Sequence, residues 1–278
     1  NCDTFLAVDQ ILIKWIVERL LAEDVGAALD GLTIPQICDK RSKMHFGEKT
    51  GGCYQMLDSS YQIIQAGNYR CPDNFKEILR QYQEEDFRLD YEYRRFYSAY
   101  DQLEETAAFE PLRDLVENIY TNEYLEALLP KWNAAIQEPD AFMALPLQRD
   151  FYARNLKNAK ERTVVIISDA MRYEVGKELF RRMQDDPKCT AKLEVQLSVL
   201  PSYTRLGMAA LLPHAELTMT DDFKVLIDGM PCDNLAEREA VLHKYSKDST
   251  CVQFDNIKSL KVVELRSIFT GKQVVYVY

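Results

Sequence analysis

"VVIISDAMRYEVGKEL", residues 164–179, runs four apolar β-formers into a serine and an aspartate, then into a helical pattern. A short apolar run that stops on a polar pair reads as a buried strand with a carboxylate at its end. Working outward from it, β-branched runs alternate with helical ones. They are "TVVIIS" (163–168), a helix from about 172, "LEVQLSVL" (193–200), a helix from about 204, and "KVLID" (224–228). A helix near 234–245, "TCVQF" (250–254), a helix near 257–268 and "QVVYVY" (273–278) complete the series. Strand and helix in alternation, with strands apolar throughout, indicate a parallel sheet covered on both faces.

Before this segment the pattern differs. Residues 1–160 read as helices, and 74–129 lack glycine and hold proline only at 111. From Glu84 to Glu117 there are eleven acids against four bases. Tyr93, Phe96, Tyr97 and Tyr100 stand three and four apart, one helix face of aromatics. In so acidic a setting this reads as a packing seam and not as a base-stacking platform. "CDKRSKMHFGEKTGGC" (38–53) reads as a loop-like insert. It lacks the glycine and lead-in of a P-loop, and Cys38, His45 and Cys53 have no zinc spacing. The change of pattern follows "EPDAFMALPLQRD" (138–150). The expected architecture is a helical region over 1–155, then an α/β parallel-sheet domain over 156–278 that continues past the chain end.

Composition bounds the function. The chain has 278 residues, 47% hydrophobic and 28% charged, with ten glycines and ten prolines, which excludes disordered and collagen-like classes. The longest apolar stretch, "FLAVDQILIKWIVERLL" (5–21), is broken by Asp9, Gln10, Lys14, Glu18 and Arg19, so no membrane partner is expected. Seven cysteines at 2, 38, 53, 71, 189, 232 and 251 are odd in number and never spaced as Cys-x-x-Cys, which fits a reduced, cytoplasmic setting. A net charge of −10 argues against a generally basic surface. The one local basic stretch is "QRDFYARNLKNAKER" (148–162), the first candidate for nucleic-acid contact. The chain starts "NCDTFLAVD", with neither initiator methionine nor signal-peptide pattern, and stops on a strand-like run. It is therefore expected to be a piece of a longer protein.

Ligands of an open parallel sheet bind at the carboxyl ends of its strands. Asp169 closes the first strand of the series, and Thr204 follows the next, in "LSVLPSYTRLGMAALLPH" (197–214). Asp169 also has a structural reading, as a helix cap or an ion pair with Arg172. Ser202 or Thr204 could equally cap the helix that follows. Taken together, a carboxylate able to hold a divalent cation and a hydroxyl at a helix start are two parts of a phosphoryl-transfer site.

Strand–Asp169-Ala170-Met171-Arg172, followed by Pro201-Ser202-Tyr203-Thr204 and a small-residue helix, resembles the alkaline-phosphatase superfamily. Within it, the local pattern is similar to that of the nucleotide pyrophosphatase/phosphodiesterases. The fuller resemblance is to the PglZ family, a core component of BREX phage-exclusion systems, whose two signature segments look like 164–175 and 197–214. "YEYRRFYSAYDQL" (91–103) and "LVENIYTNEYLEALLPKW" (115–132) are similar to the region preceding the PglZ domain. The resemblance implies Asp169 as a metal ligand and Thr204 as metal-bound nucleophile. It sets Ser202 and Arg172 at the substrate, Arg172 having a structural alternative. The implied cofactor is a divalent metal, zinc first, with manganese or magnesium as alternatives. The implied activity is phosphodiester or phosphate-ester hydrolysis. The implied partners are other BREX proteins, a DNA methyltransferase among them, and nucleic acid. Against this stand a catalytically silent scaffold docking those partners, and a phosphoacceptor receiver, which lacks its acidic pair here. The superfamily's Asp-x-x-x-His and Asp-His ligand pairs do not occur between 170 and 278. His214 and His243 stand alone, and Glu239 shares a helix face with His243. The remaining ligands are expected after Tyr278.

Overall fold

A computed structural model describes residues 4–137 and 145–278; Cys2 and most of the 138–150 transition lie outside them. Contacts divide the chain into two units, Asn1–Ala141 with Tyr173–Arg181, and Phe142–Arg172 with Arg182–Tyr278.

The first unit is helical. It comprises α1 (Leu6–Leu21), a hairpin of β1 (Ala28–Leu29) and β2 (Leu32–Thr33), α2 (Ile34–Ser42), α3 (Gly47–Gln65), α4 (Phe75–Gln81), α5 (Phe87–Tyr100), α6 (Glu110–Asn118) and α7 (Glu126–Ala135). The hairpin turns on Asp30-Gly31, both at positive φ (50° and 77°), which suits the right-handed strand twist. Thr33 and Gln36 form a capping box at the start of α2. The expected loop over 38–53 is instead the end of α2 and the start of α3. Gly47 makes the corner possible, since a Cβ there would sit 2.1 Å from the Ser42 carbonyl oxygen. Burial of Tyr54, Met56 and Leu57 then holds the glycine-rich start of α3 helical despite its poor propensity.

Around α3 pack α1, α2 and α5. The aromatic face of α5 is a seam: Phe96 and Tyr100 are buried, while the Tyr93 and Tyr97 hydroxyls donate to Glu117 Oε2 at 2.7 and 2.5 Å. Beneath α1, the Asp9 carboxylate (1% exposed) accepts from Arg41 Nε at 2.8 Å, Arg41 Nη2 at 2.6 Å and the Tyr54 hydroxyl at 2.6 Å. Burial pushes its pKa up, but the bonds from Arg41 and Tyr54 outweigh this and hold it below the usual carboxylate range.

The second unit begins with α8 (Phe151–Asn155) and β3 (Thr163–Ile166), after which α9 (Tyr173–Gln184) leaves mainly for the first unit. It continues with α10 (Thr204–Ala210), β4 (Leu217–Met219), β5 (Val225–Ile227), β6 (Met230–Pro231) and α11 (Leu235–Tyr245). Last come β7 (Ser249–Val252), α12 (Phe254–Ile257), α13 (Val262–Phe269) and β8 (Val274–Val277). The parallel sheet has the order β3–β8–β7, with Thr163 to Ile166 in register with Val274 to Val277. Val165, Val274, Tyr276 and Cys251 turn to a core shared with α10 and α11.

Three further expectations are corrected. "KVLID" does not join the parallel sheet; β5 is the middle strand of an antiparallel β4–β5–β6 sheet. The turn Asp228-Gly229, at φ 49° and 76°, folds it back as a hairpin. Residues 193–200 form no strand of the parallel sheet; their one ladder contact among the described residues is a parallel bridge between Leu147 and Leu197. The helix expected near 257–268 is two pieces, α12 and α13.

Breaking a buried ion pair by removing one partner typically costs about 3–5 kcal/mol. Asp9→Ala is expected to lower stability by that order in urea unfolding. Because the folded-state pKa of Asp9 is depressed, its contribution is present above roughly pH 4 and fades as pH falls. Asp9→Asn should therefore flatten the acid limb of the stability profile; an unchanged limb would rule this out.

Candidate active site

Pairing with β8 carries β3 one residue past its last ladder position, since Ile167 N–H donates to the Val277 carbonyl at 2.8 Å. Ser168 and Asp169 then leave the sheet at its carboxyl end. Asp169 is exposed, and its Oδ1 accepts from the Ala170 N–H at 3.0 Å. Ala170 lies at φ 54°, a left-handed conformation that costs an L-residue about 1–2 kcal/mol. This sharp bend turns the chain away immediately after the carboxylate.

Thr204 opens α10. Tyr203 is the cap residue and makes no side-chain capping bond, so neither Ser202 nor Thr204 is spent as a cap. Leu206, Ala209 and Ala210 are buried and anchor the helix, leaving Thr204 exposed. Asp169, Ser202 and Thr204 all line one cleft of about 580 Å³ within the second unit. Arg172 is exposed, lies outside that lining, and forms no ion pair with Asp169.

Gln148 is a residue the sequence reading passed over. Its Nε2 donates to the Gly207 carbonyl at 3.2 Å and its Oε1 accepts from Val199 N–H at 3.0 Å. Its own N–H donates to Leu197 O at 2.8 Å. One amide thus clamps both arms of the 199–207 loop that presents Ser202 and Thr204. The available signal was a glutamine beside a predicted domain start, which is too weak to single out.

The other candidate ligands are occupied or elsewhere. Glu239 accepts from the Thr250 hydroxyl at 2.7 Å and Cys251 N–H at 3.1 Å; burial raises its pKa, but those two bonds bring it below the ordinary range. His243 Nε2 lies 2.8 Å from Ser249 O, and His214 Nδ1 2.7 Å from Leu212 O. His214 lines a different cleft, of about 690 Å³. Burial pushes the thiols of Cys232 and Cys251 up to about 11 and about 12, so they remain protonated at neutral pH. Among the described residues no group of three or more His, Cys, Asp or Glu side chains could hold a metal ion. Arg149, Arg154, Lys157, Lys160 and Arg162 of the basic stretch are exposed.

Asp169 and Thr204 thus line one cleft, beside the carboxyl end of β3 in the parallel sheet. Residues 150–278 match the model of the BREX system PglZ alkaline phosphatase-like domain, and the chain belongs to the PglZ family. It is 34% identical over 287 residues to the alkaline phosphatase-like protein PglZ of Bacillus cereus (strain H3081.97), covering 99% of this chain and 33% of that protein. It is 30% identical over 299 residues to the alkaline phosphatase-like protein BrxZ of Escherichia coli O9:H4 (strain HS), covering 100% of this chain and 34% of that protein. The chain spans about a third of the length of these curated relatives. No solved structure matches it significantly.

Gln148→Ala is expected to remove about 1–2 kcal/mol of stability, seen as a lower urea midpoint at constant slope. Gly207→Ala should be tolerated, because its Cβ would meet Gln148 Nε2 at 3.5 Å, an ordinary contact. Equal midpoints for wild type and Gln148→Ala would exclude the clamp.

Proposed function

We propose that the second unit is part of a metal-dependent phosphoric-ester hydrolase acting on phosphodiesters, with nucleic acid as the natural class. The supporting observation is that Asp169, Ser202 and Thr204, on loops some thirty residues apart, line one cleft. Asp169 and Thr204 offer hard oxygen donors that suit a divalent cation; donor type alone favours manganese or magnesium, and the family resemblance favours zinc. They make two donors of the four that a tetrahedral site needs, so the fit is partial, and the remainder is assigned to the longer polypeptide. A bound cation would neutralise phosphate charge and lower the pKa of the nucleophile's hydroxyl.

In this reading the Thr204 oxygen attacks phosphorus and gives up its proton to solvent. The bond to the leaving oxygen breaks and that alkoxide takes a proton from solvent; water then cleaves the Thr204–phosphate ester, restoring the hydroxyl and releasing a phosphate monoester. Ser202 would hydrogen-bond the ester oxygens. Arg172, outside the cleft, would reach a substrate only where it extends beyond the rim.

The biological setting proposed is phage defence in the cytoplasm, beside other BREX proteins and a DNA methyltransferase. Among the described residues no helix is long and apolar enough to cross a membrane. The second reading is a catalytically silent scaffold that docks the same partners.

Hydrolysis of bis-nitrophenyl phosphate by the full-length protein in zinc or manganese separates the two. Thr204→Ala should reduce the rate by at least about a hundredfold; an unchanged rate would remove Thr204 from catalysis. No hydrolysis, with partner pull-down surviving Asp169→Ala, would support the scaffold.

A further inference from the structure

Two stretches singled out in the sequence, "YEYRRFYSAYDQL" (91–103) and "VVIISDAMRYEVGKEL" (164–179), are joined by one ion pair. Arg94 Nε donates to Glu174 Oε1 at 2.8 Å. Glu174 is 1% exposed, and its Oε2 is buried without a hydrogen bond. Arg94 is the one cation paired with it among the described residues. Glu174 stands in the first turn of α9, five residues after Asp169.

Neighbouring side chains seat the same turn. Contacts place Tyr173–Arg181 in the helical unit. There a π-turn over Tyr82–Asp86 joins α4 to α5. Its Gln83 carbonyl accepts from the Tyr173 hydroxyl and the Lys177 ammonium, each at a long 3.5 Å. The Tyr173 ring lies 5.8 Å from that of Tyr82 and 6.0 Å from that of Phe87, and Lys177 Nζ lies 5.4 Å from the Phe87 ring centre. Ring contacts and long hydrogen bonds tolerate sliding. A guanidinium on a buried carboxylate does not, because displacement leaves a buried charge unpaired.

We infer that Glu174 is a positioning residue for Asp169: its seat on Arg94 anchors the start of α9 and so holds the downstream end of the turn that carries the carboxylate. Only Ala170, Met171 and Arg172 lie between Asp169 and the first residue of α9. Four residue steps span at most about 14 Å when fully extended, and the bend at Ala170, φ 54°, shortens that reach. The pairing of β3 with β8 fixes the turn upstream, as far as Ile167 N–H; Glu174 fixes it downstream. An apolar pair of similar volume would pack α9 as well or better, so stability alone gives no reason for a buried charge here. What the charge adds is one direction and one register for the helix start, where the helix dipole also favours a carboxylate. Displacements of about 1 Å matter at a reacting centre, so an anchor this close bears on the site. That Asp169 is held for a metal rests on the hydrolase reading; the anchor itself does not.

Hydrogen exchange on the full-length protein tests the anchor. The amides of Lys177, Glu178 and Leu179 take the carbonyls of Tyr173, Glu174 and Val175 as helical acceptors, so they report the first turn of α9. Arg94→Ala should speed their exchange at least about tenfold, while Ile167, bonded to β8, keeps its wild-type rate. It should also weaken zinc binding, read by competition with a chelator, about tenfold or more, as losing the support of a ligand typically does. Arg94→Lys, which keeps the charge, should restore part of both losses. Unchanged exchange at Lys177, Glu178 and Leu179 would overturn the proposal. So would an equal rise at Ile167, which is general destabilisation. Fast exchange with undiminished zinc affinity, in a protein whose Asp169→Ala form no longer binds zinc, would also overturn it. Zinc affinity that ignores Asp169→Ala would instead remove the hydrolase reading, and the exchange rates would still decide the anchor.

Discussion

The site depends on the pairing of β3 with β8. Every residue of β8 is buried, and its register with β3 fixes where β3 can stop. A one-residue slip would exchange Val165, which faces the core, for Val164 or Ile166, which do not, so the register is strongly specified. Asp169 inherits that precision. It stands two residues beyond the last β3–β8 hydrogen bond, followed by a backbone bend at Ala170 that leaves little choice of direction.

Thr204 is positioned by different means. Its loop belongs to no ladder, and the strand expected before it pairs through a single bridge. Order comes from the buried face of α10 and from Gln148, whose amide spans both arms of the loop. A carboxylate placed by the sheet thus shares a cleft with a hydroxyl whose loop is held by side-chain hydrogen bonds. The second arrangement is the softer, since bonds of this kind are each worth about 1 kcal/mol net.

What was legible in the sequence follows the same division. β3, β7, β8, α10 and α11 are short-range patterns of apolar period and capping, and Asn234 with Glu237 marks the start of α11 openly. Both Asp-Gly hairpins were also written in the sequence, but "KVLID" is apolar enough to pass for a parallel strand when its following Gly229 is ignored. The 38–53 segment was misread for the opposite reason. Its glycines and charges have the composition of a loop, and only the packing of Tyr54, Met56 and Leu57 makes it a helix. The cleft that Asp169 and Thr204 share was suggested by strand ends and family resemblance, whereas the hydrogen bonds of Gln148 are a product of tertiary placement. No local pattern encodes them.

Charge narrows how a polyanion would approach such a cleft. The chain carries −10 overall, and its acids crowd α5 and α6, where Glu117 is held ionised by the hydroxyls of Tyr97 and Tyr93. The net charge of these 278 residues would not attract a phosphodiester, so any attraction they supply would be local, within about a Debye length. The exposed Arg149, Arg154, Lys157, Lys160 and Arg162 supply that locality. They lie in the same unit as Asp169, on the chain that runs from Gln148 toward β3. Gln148 and Phe151 of this stretch line the cleft itself, so the basic run and the cleft share a wall. The exposed basic run and the clamp on the 199–207 loop thus belong to one short segment.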